Sequence, residues 1–158
     1  MSINVREMSC TPEDVFRVFA DGWLYPVWVV GATRMRTVDD GWPNQGSKLE
    51  HSFGVWPFVI NDETRVIEWS PPRRMVVQAK GWPLGEARVT LDAKPRGDGC
   101  VVRIEEWAAK GPGRLIPRPI QEIALYTRNT ETLRRLAFVA ERRFRVTSAL
   151  TPGSSATS

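Results

Sequence analysis

The sequence predicts an α+β fold in which a curved antiparallel sheet of about seven strands surrounds one long C-terminal helix, while two short helices close a cavity. Residues 33 to 109 contain strand-like segments separated by turns rich in Gly and Pro. Links this short are typical of antiparallel strands. One short strand and two short helical segments precede them, and a long amphipathic helical pattern follows. Such a helix is expected to pack across the concave face of the sheet.

The predicted elements begin with a short strand in INVREM, residues 3 to 8. Thr11 then offers an N-cap, and Pro12 occupies the first helical position ahead of two acidic residues. Gly22 is placed to end this first helix. A second short piece, helical or irregular, follows in WLYPVW and carries Trp28.

Further strands are predicted wherever apolar alternation lies between turn signals. The turn signals are GWPNQG, the Pro after VW, SPPRR, WPLG and PRGDG. The strands predicted between them are residues 33–40, 47–56, 58–69, 75–81, 86–94 and 100–109. Together with the first strand they complete the predicted sheet.

The last helix is predicted over residues 117 to 143. Residues spaced alternately three and four apart form one row, here called the seam, along a single side of this helix. Arg128, Arg135 and Arg142, spaced by seven, fall roughly opposite that seam. The middle of the seam is small and polar-tipped, which favours a helix that covers a pocket as well as a core. The seam consists of Ile123, Tyr126, Thr130, Leu133, Ala137, Ala140 and Phe144.

The predicted organisation is one domain, residues 1–145, followed by a flexible tail, residues 146–158. The 158 residues suffice for one hydrophobic core, and TSALTPGSSATS has the composition of a disordered segment. Cys10 and Cys100 are too few for a disulfide framework. No N-terminal segment resembles a signal peptide, and no apolar run is long enough to span a bilayer. A reduced, cytoplasmic protein without membrane insertion is expected.

The order of the elements and several phrases resemble the START-like helix-grip superfamily (SRPBCC), in particular its polyketide cyclase/dehydrase branch. The phrases are TPEDVFRVFAD, ETRVIEWSPPRRMVV, GDGCVVRIEEW and RNTETLRRLAFVAE. The resemblance covers roughly residues 3 to 144 and implies a helix-grip fold. It also implies a hydrophobic cavity for a lipid or polyketide-like molecule, with Trp28 on its wall. Only some members of that superfamily are enzymes.

His51 is the only histidine in the chain. Alternation places it with Leu49 and Phe53 on an apolar face that is expected to point inward. A histidine there could act as a general acid or base, since its ordinary pKa of about 6.5 lies near neutral pH. The favoured alternative is a hydrogen-bonded residue of the cavity wall.

Glu106 alternates with Ile104 and is also expected to face inward. A buried carboxylate is costly unless it is paired, so Glu106 is either functional or partnered, for example by an arginine. A β-bulge near Glu105 would reverse the assignment, and the sequence leaves that register open.

The predicted ligand-contacting residues combine the resemblance with the helix seam and the strand alternation. Tyr126 and Thr130 could offer hydroxyl groups to a ligand carbonyl. The alternative for Tyr126 is a core position with its hydroxyl reaching water. The predicted set is Trp28, His51, Phe53, Ile104, Tyr126, Thr130 and Leu133.

Other kinds of site have little support in the sequence. One histidine and two distant cysteines argue against zinc, and no glycine-rich phosphate loop or nucleophile elbow is present. We therefore expect neither a metal nor a cofactor. The arginines of the last helix could bind phosphate or nucleic acid, but a solvated face is favoured, and no nucleic-acid partner is expected.

Two functions follow as hypotheses. The first is a module that binds a hydrophobic small molecule without chemistry. The second is a cyclase/dehydrase-type enzyme in which His51, Glu106 and Tyr126 move protons for aldol closure or loss of water. A weaker third is an interaction protein that uses the Arg-rich helix face, with a homodimer contact through Phe138 and Val139 as one form.

Overall fold

The computed structural model describes residues 1–55, 57–81, 85–110 and 117–149, and it confirms the predicted fold class. Its elements are β1 (Ser2–Met8), α1 (Pro12–Ala20), a 3-10 turn (Gly22–Leu24), α2 (Tyr25–Trp28), β2 (Ala32–Val38), β3 (Lys48–Val55), β4 (Phe58–Ser70), β5 (Arg74–Gly81), β6 (Gly85–Arg96), β7 (Gly99–Lys110) and α3 (Arg118–Ala149). All neighbouring strands are antiparallel, in the order β1-β7-β6-β5-β4-β3-β2.

The first helix, α1, begins as its sequence predicts. The Thr11 hydroxyl accepts the Asp14 backbone N–H at 3.2 Å, and the Asp14 carboxylate accepts the Thr11 N–H at 3.2 Å. This capping box satisfies two donors that the first turn would otherwise leave open. The apolar side of α1 is buried, with Phe16 and Phe19 in edge-on contact at 5.2 Å between ring centroids.

The hydrophobic core lies between the concave face of the sheet, α1 and the C-terminal half of α3. Burial of these side chains is the main favourable term that holds the helix to the sheet. The most deeply buried apolar residues are Val15, Val18, Leu49, Val66, Val102, Leu133, Leu136 and Ala140. The N-terminal half of α3 contributes few of them, and there a space remains under the helix.

The last helix is longer than predicted because it continues to Ala149. Residues 144 to 149 contain no Pro or Gly to end it. Residues 146 to 149 of the predicted tail are therefore helical, and the rest of that tail lies outside the described residues, as does the side chain of Phe144. Among the described residues, no helix is both long and apolar enough to cross a membrane.

The predicted seam of α3 is right in the C-terminal half and wrong in the N-terminal half. Leu133, Ala137 and Ala140 are buried as predicted, whereas Ile123 and Tyr126 are 68% and 59% exposed. The residues that face the sheet in the first half are Ala124, Leu125, Arg128, Asn129 and Thr132. Arg128, expected on the outer side, therefore faces inward.

Edge strand β1 explains why Thr130 does not face the space under the helix. The Asn4 side-chain N–H₂ donates to the Thr130 hydroxyl at 2.8 Å and to the Tyr126 carbonyl at 3.0 Å. The Thr130 hydroxyl in turn donates to the Tyr126 carbonyl at 2.8 Å. This side of α3 is therefore turned to β1, and the Tyr126 ring lies in a surface groove beside Ile3.

Candidate ligand-binding site

A cavity of about 340 Å³ lies between the concave face of the sheet and the N-terminal half of α3. Tyr25 and Trp28 of α2 close one side of it. Most of the wall is apolar, as is usual for sites that bind small organic molecules. Its apolar side chains include Phe53, Ile60, Val77, Ala79, Leu91 and Ile104.

Strands β3 and β4 place a histidine and a carboxylate side by side in this wall. His51 is opposite Asp62 in the antiparallel register, so the two side chains share one face of the sheet. The His51 Nε2 atom is 3.6 Å from Asp62 Oδ2. Both residues are buried, and Asp62 Oδ1 accepts the Glu63 backbone N–H at 2.7 Å. Within the described part of the chain, His51 Nδ1 has no hydrogen-bond partner.

Burial sets the charge of this pair. It lowers the pKa of His51 to about 4, with a further contribution from the Arg36 guanidinium. It raises the pKa of Asp62 to about 6, although backbone hydrogen bonds at Glu63 and Lys80 oppose the shift. At neutral pH the imidazole is therefore uncharged and Asp62 is largely ionised, while at pH 5 both groups are neutral.

Tyr25 connects the histidine to the aromatic part of the wall. Its hydroxyl is 3.1 Å from the Thr64 hydroxyl, and its ring centroid is 5.0 Å from that of His51 and 5.4 Å from that of Trp28. Burial raises the pKa of Tyr25 to about 12, so its phenol stays protonated and can donate a hydrogen bond. The Trp28 indole N–H is buried and has no acceptor among the described residues.

A second polar group joins β7 to α3. Glu106 is 3% exposed, and its Oε2 atom accepts hydrogen bonds from Arg128 Nη2 and, at 3.1 Å, from Asn129 Nδ2. The side-chain Oδ1 atom of Asn129 accepts a hydrogen bond from Arg128 Nη2 at 3.1 Å. The Glu106 carboxylate is thus paired with a cation, which is how a buried charge becomes tolerable.

The structure brings together most, but not all, of the residues predicted to contact a ligand. Trp28, His51, Phe53, Ile104 and Glu106 lie on the cavity wall, and the strand register at Glu106 is unbroken. The three predicted residues that lie elsewhere are Tyr126, Thr130 and Leu133. Tyr126 and Thr130 face the β1 side of the helix, and Leu133 packs in the core.

Sequence reasoning missed several polar residues of the wall, among them Asp62, Tyr25 and Arg128. Asp62 alternates with Ile60 and Thr64 on β4, so the period-two pattern would have placed a carboxylate on the inner face. Tyr25 was visible as an aromatic beside Trp28. Arg128 gave no such signal, because an arginine on a helix is usually solvated.

The donor set of the wall does not resemble a metal site. Among the described residues, no three His, Cys, Asp or Glu side chains lie close enough together to hold a metal ion. Glu106 is engaged by Arg128, and His51 faces a single carboxylate. The arrangement is suited to hydrogen bonding and proton transfer within an apolar enclosure.

Comparisons with known proteins agree with this geometry. A family model described as "Polyketide cyclase / dehydrase and lipid transport" matches residues 4–141. No curated protein matches the chain. Solved structures do match it, at identities that establish the fold alone.

Three of these structures show the range of proteins that share the fold. Protein CV1439 from Chromobacterium violaceum is 20% identical, with 87% of this chain and 94% of its own covered and a TM-score of 0.63. The di-domain ARO/CYC protein StfQ from the steffimycin biosynthetic pathway is 14% identical, with 89% and 50% covered and a TM-score of 0.72. Ara h 8.0201 is 8% identical, with 87% and 95% covered and a TM-score of 0.64.

Proposed function

The chain belongs to the polyketide cyclase/dehydrase and lipid transport family, and from that premise we propose that it binds a predominantly apolar small molecule, lipid-like or polyketide-like, in the cavity beneath α3. The cavity itself is the observation that supports this most directly. Its volume of about 340 Å³ falls within the range of pockets that bind small organic molecules. A ligand there would replace water against an apolar wall, which is favourable by about 25 cal/mol per Å² of apolar area covered.

The ligand is expected to carry some polar atoms as well. The Trp28 N–H and the His51 Nδ1 atom are buried without partners among the described residues, and unpaired buried polar groups are costly. A ligand carbonyl could accept from the Trp28 N–H, a ligand amine could donate to His51 Nδ1, and a hydroxyl could do either. An unsubstituted hydrocarbon would leave them unpaired.

Filling the cavity should abolish binding. Ala79 lies on the wall in β5, opposite Ala87 in β6, and Ala79→Trp would place an indole in the space. The probe is N-phenyl-1-naphthylamine, an uncharged dye whose fluorescence rises in apolar surroundings. We expect Ala79→Trp to weaken dye binding by about tenfold or more, since the ligand and the indole compete for one volume.

The matched control is Ala20→Trp, which adds the same side chain at an exposed position at the end of α1. It should leave the dye affinity within about twofold of the parent chain. Circular dichroism of both variants establishes that they are folded. Equal dye affinity in folded Ala79→Trp and Ala20→Trp proteins would place dye binding outside this cavity.

The second candidate function is a cyclase/dehydrase-type reaction, and the His51–Asp62 pair beside Tyr25 favours it. An uncharged His51 could accept a proton from a carbon between two carbonyl groups, with Asp62 orienting the imidazole. The protonated phenol of Tyr25 could donate to the carbonyl that becomes a hydroxyl. Tyr25 thus replaces Tyr126 in the predicted set of proton carriers, because only Tyr25 lies on the cavity wall.

This reaction would be tested with a synthetic poly-β-ketone thioester and chromatographic detection of the cyclised product. His51→Gln should then reduce turnover about a hundredfold, the usual contribution of one positioned acid or base, while dye binding changes little. Glu50→Gln is the control, because Glu50 neighbours His51 on β3 and pairs instead with Lys48 and Arg36. Turnover that is unchanged in His51→Gln would remove this histidine from the chemistry.

A further inference from the structure

The charge of the cavity wall is opposite to that of the chain. The chain carries a net charge of +4, yet the described ionisable side chains that line the cavity include three carboxylates and one guanidinium. They are Asp62, Glu86, Glu106 and Arg128. Arg128 is paired with Glu106, so the negative charge of the other two carboxylates is not balanced within the wall.

Asp62 is the deepest of these unbalanced charges. It is 6% exposed and lies opposite His51, whose imidazole is uncharged at neutral pH. The Nε2 atom of His51 faces the carboxylate at 3.6 Å, which is beyond hydrogen-bond distance but electrostatically favours the tautomer with its proton on Nε2 and with Nδ1 as a lone-pair acceptor. That acceptor has no partner in the described part of the chain.

Two aromatic rings complete this part of the wall. The Tyr25 ring lies 5.0 Å from the His51 ring and 5.4 Å from the Trp28 ring. Indole and phenol rings attract cations through their negative faces, most strongly where water is excluded. A carboxylate, a lone-pair acceptor and two aromatic rings therefore surround the same side of the cavity.

We propose that the cavity takes an organic cation, a ligand whose protonated amine lies against Asp62 and His51 while its apolar body packs on the remaining wall. This inference rests on the proposed binding function and adds the charge of the ligand to it. An ammonium group can donate N–H hydrogen bonds to the Asp62 carboxylate and to His51 Nδ1. Its positive charge also balances the negative charge on Asp62. An anionic amphiphile would instead have to compete with Glu106 for Arg128.

Three naphthalenes of nearly equal shape test the charge directly. The probes are 1-naphthylmethylamine, 1-naphthylmethanol and 1-naphthoic acid, which are cationic, neutral and anionic at pH 7.5, with affinities measured by calorimetry. The amine is expected to bind about tenfold more tightly than the alcohol, and the acid about tenfold more weakly, because the charges act in a low-dielectric enclosure.

Asp62→Asn should lower the affinity for the amine to about that of the alcohol and change the alcohol by less than about twofold. Glu63→Gln is the matched control, because it removes the same charge from the next residue, whose carboxylate pairs with Lys48, Arg65 and Lys80. That variant should keep the full preference for the amine.

The preference should also weaken at pH 5, where Asp62 is protonated. The charged and titratable groups that face Asp62 are His51 on β3, Tyr25 on α2, Lys80 on β5 and Glu63 on its own strand. Tyr25 and His51 keep their charge between pH 7.5 and pH 5 in the free protein, because their pKa values are about 12 and about 4. Against the opposing effect of burial, Lys80 and Lys48 hold the pKa of Glu63 below its ordinary value.

The outcomes separate this inference from the function on which it rests. Equal binding of all three naphthalenes, or tightest binding of the acid, would overturn the cation preference and leave the cavity as a ligand site. A preference for the amine that persists in Asp62→Asn would also overturn it. No binding of any probe, together with no binding of the neutral dye, would overturn both proposals.

Discussion

Replacement of Arg128 by Met is expected to lower the free energy of unfolding by about 3–5 kcal/mol at pH 7.5, the usual cost of leaving a buried charge without its partner. The carboxylate left behind is Glu106, which is 3% exposed and, among the residues that the structure describes, would keep only the 3.1 Å hydrogen bond from Asn129. Met keeps an unbranched apolar stem and a similar helix propensity, so most of the lost stability comes from removing the guanidinium charge. Urea denaturation followed by circular dichroism measures it.

The double variant Glu106→Gln, Arg128→Met should recover most of this loss and lie within about 2 kcal/mol of the parent, since a neutral amide needs no cation. Arg135→Met is the control on the same helix. Its side chain is 44% exposed and pairs with Glu131 at the surface, so its removal should cost less than about 1 kcal/mol. Equal destabilisation by the two single substitutions would contradict the pairing of Arg128 with Glu106.

The sheet could be predicted from sequence because its signals are local. Alternation between turn residues places strands within a few residues, and the segment predicted at residues 58–69 forms β4, Phe58–Ser70. The first helix carries its own start signal in Thr11 and Asp14. Short links then leave few ways to arrange the strands other than as an antiparallel sheet.

The orientation of α3 could be predicted only where the interior is apolar. In its C-terminal half the core selects Leu133, Ala137 and Ala140, and the seam found from apolar spacing is correct. In its N-terminal half the interior is a cavity whose wall includes Arg128 and Asn129. There Ile123 and Tyr126 lie outside while polar residues share the inner side, so a rule that assigns apolar side chains to the interior gives the wrong face.

The partners of the inward polar residues depend on contacts between distant parts of the chain. Alternation alone turns His51 and Asp62 toward one face, but their pairing depends on the register between β3 and β4. The contact between Glu106 and Arg128 joins a strand to a helix 22 residues later. A single sequence shows that a buried carboxylate needs a partner, and the folded chain shows which one it has.

The His51–Asp62 pair is expected to produce opposite pH dependences of stability when each partner is replaced alone. The folded-state pKa of His51 is lowered from 6.5 to about 4, so its contribution to stability is present above pH 6.5 and is lost as the pH falls toward 4. The folded-state pKa of Asp62 is raised from 3.8 to about 6, so its contribution is present below pH 3.8 and is lost as the pH rises through 6. Between pH 4 and pH 6 the two effects nearly cancel in the parent chain.

Each substitution removes one of the two opposing effects. Relative to the parent, Asp62→Asn should gain about 3 kcal/mol of stability as the pH rises from 4 to 6.5, because only the His51 contribution remains. His51→Gln should lose about 3 kcal/mol over the same range, because only the Asp62 contribution remains. Unfolding free energies from urea titrations at the two pH values measure both slopes, and subtraction of the parent values removes the carboxylates elsewhere in the chain.

The pH dependence of the parent chain distinguishes two descriptions of the pair, because in either description each single substitution leaves one buried group alone. In a buried ion pair, attraction would raise the pKa of His51 above its ordinary value, and the parent would lose stability relative to His51→Gln as the pH rises from 6.5 to 8. A difference between parent and His51→Gln that stays constant from pH 6.5 to pH 8 would instead show that burial outweighs the attraction across 3.6 Å. That result would leave an uncharged imidazole beside an ionised carboxylate at neutral pH, the state that both the proton-transfer reaction and the binding of a cation require.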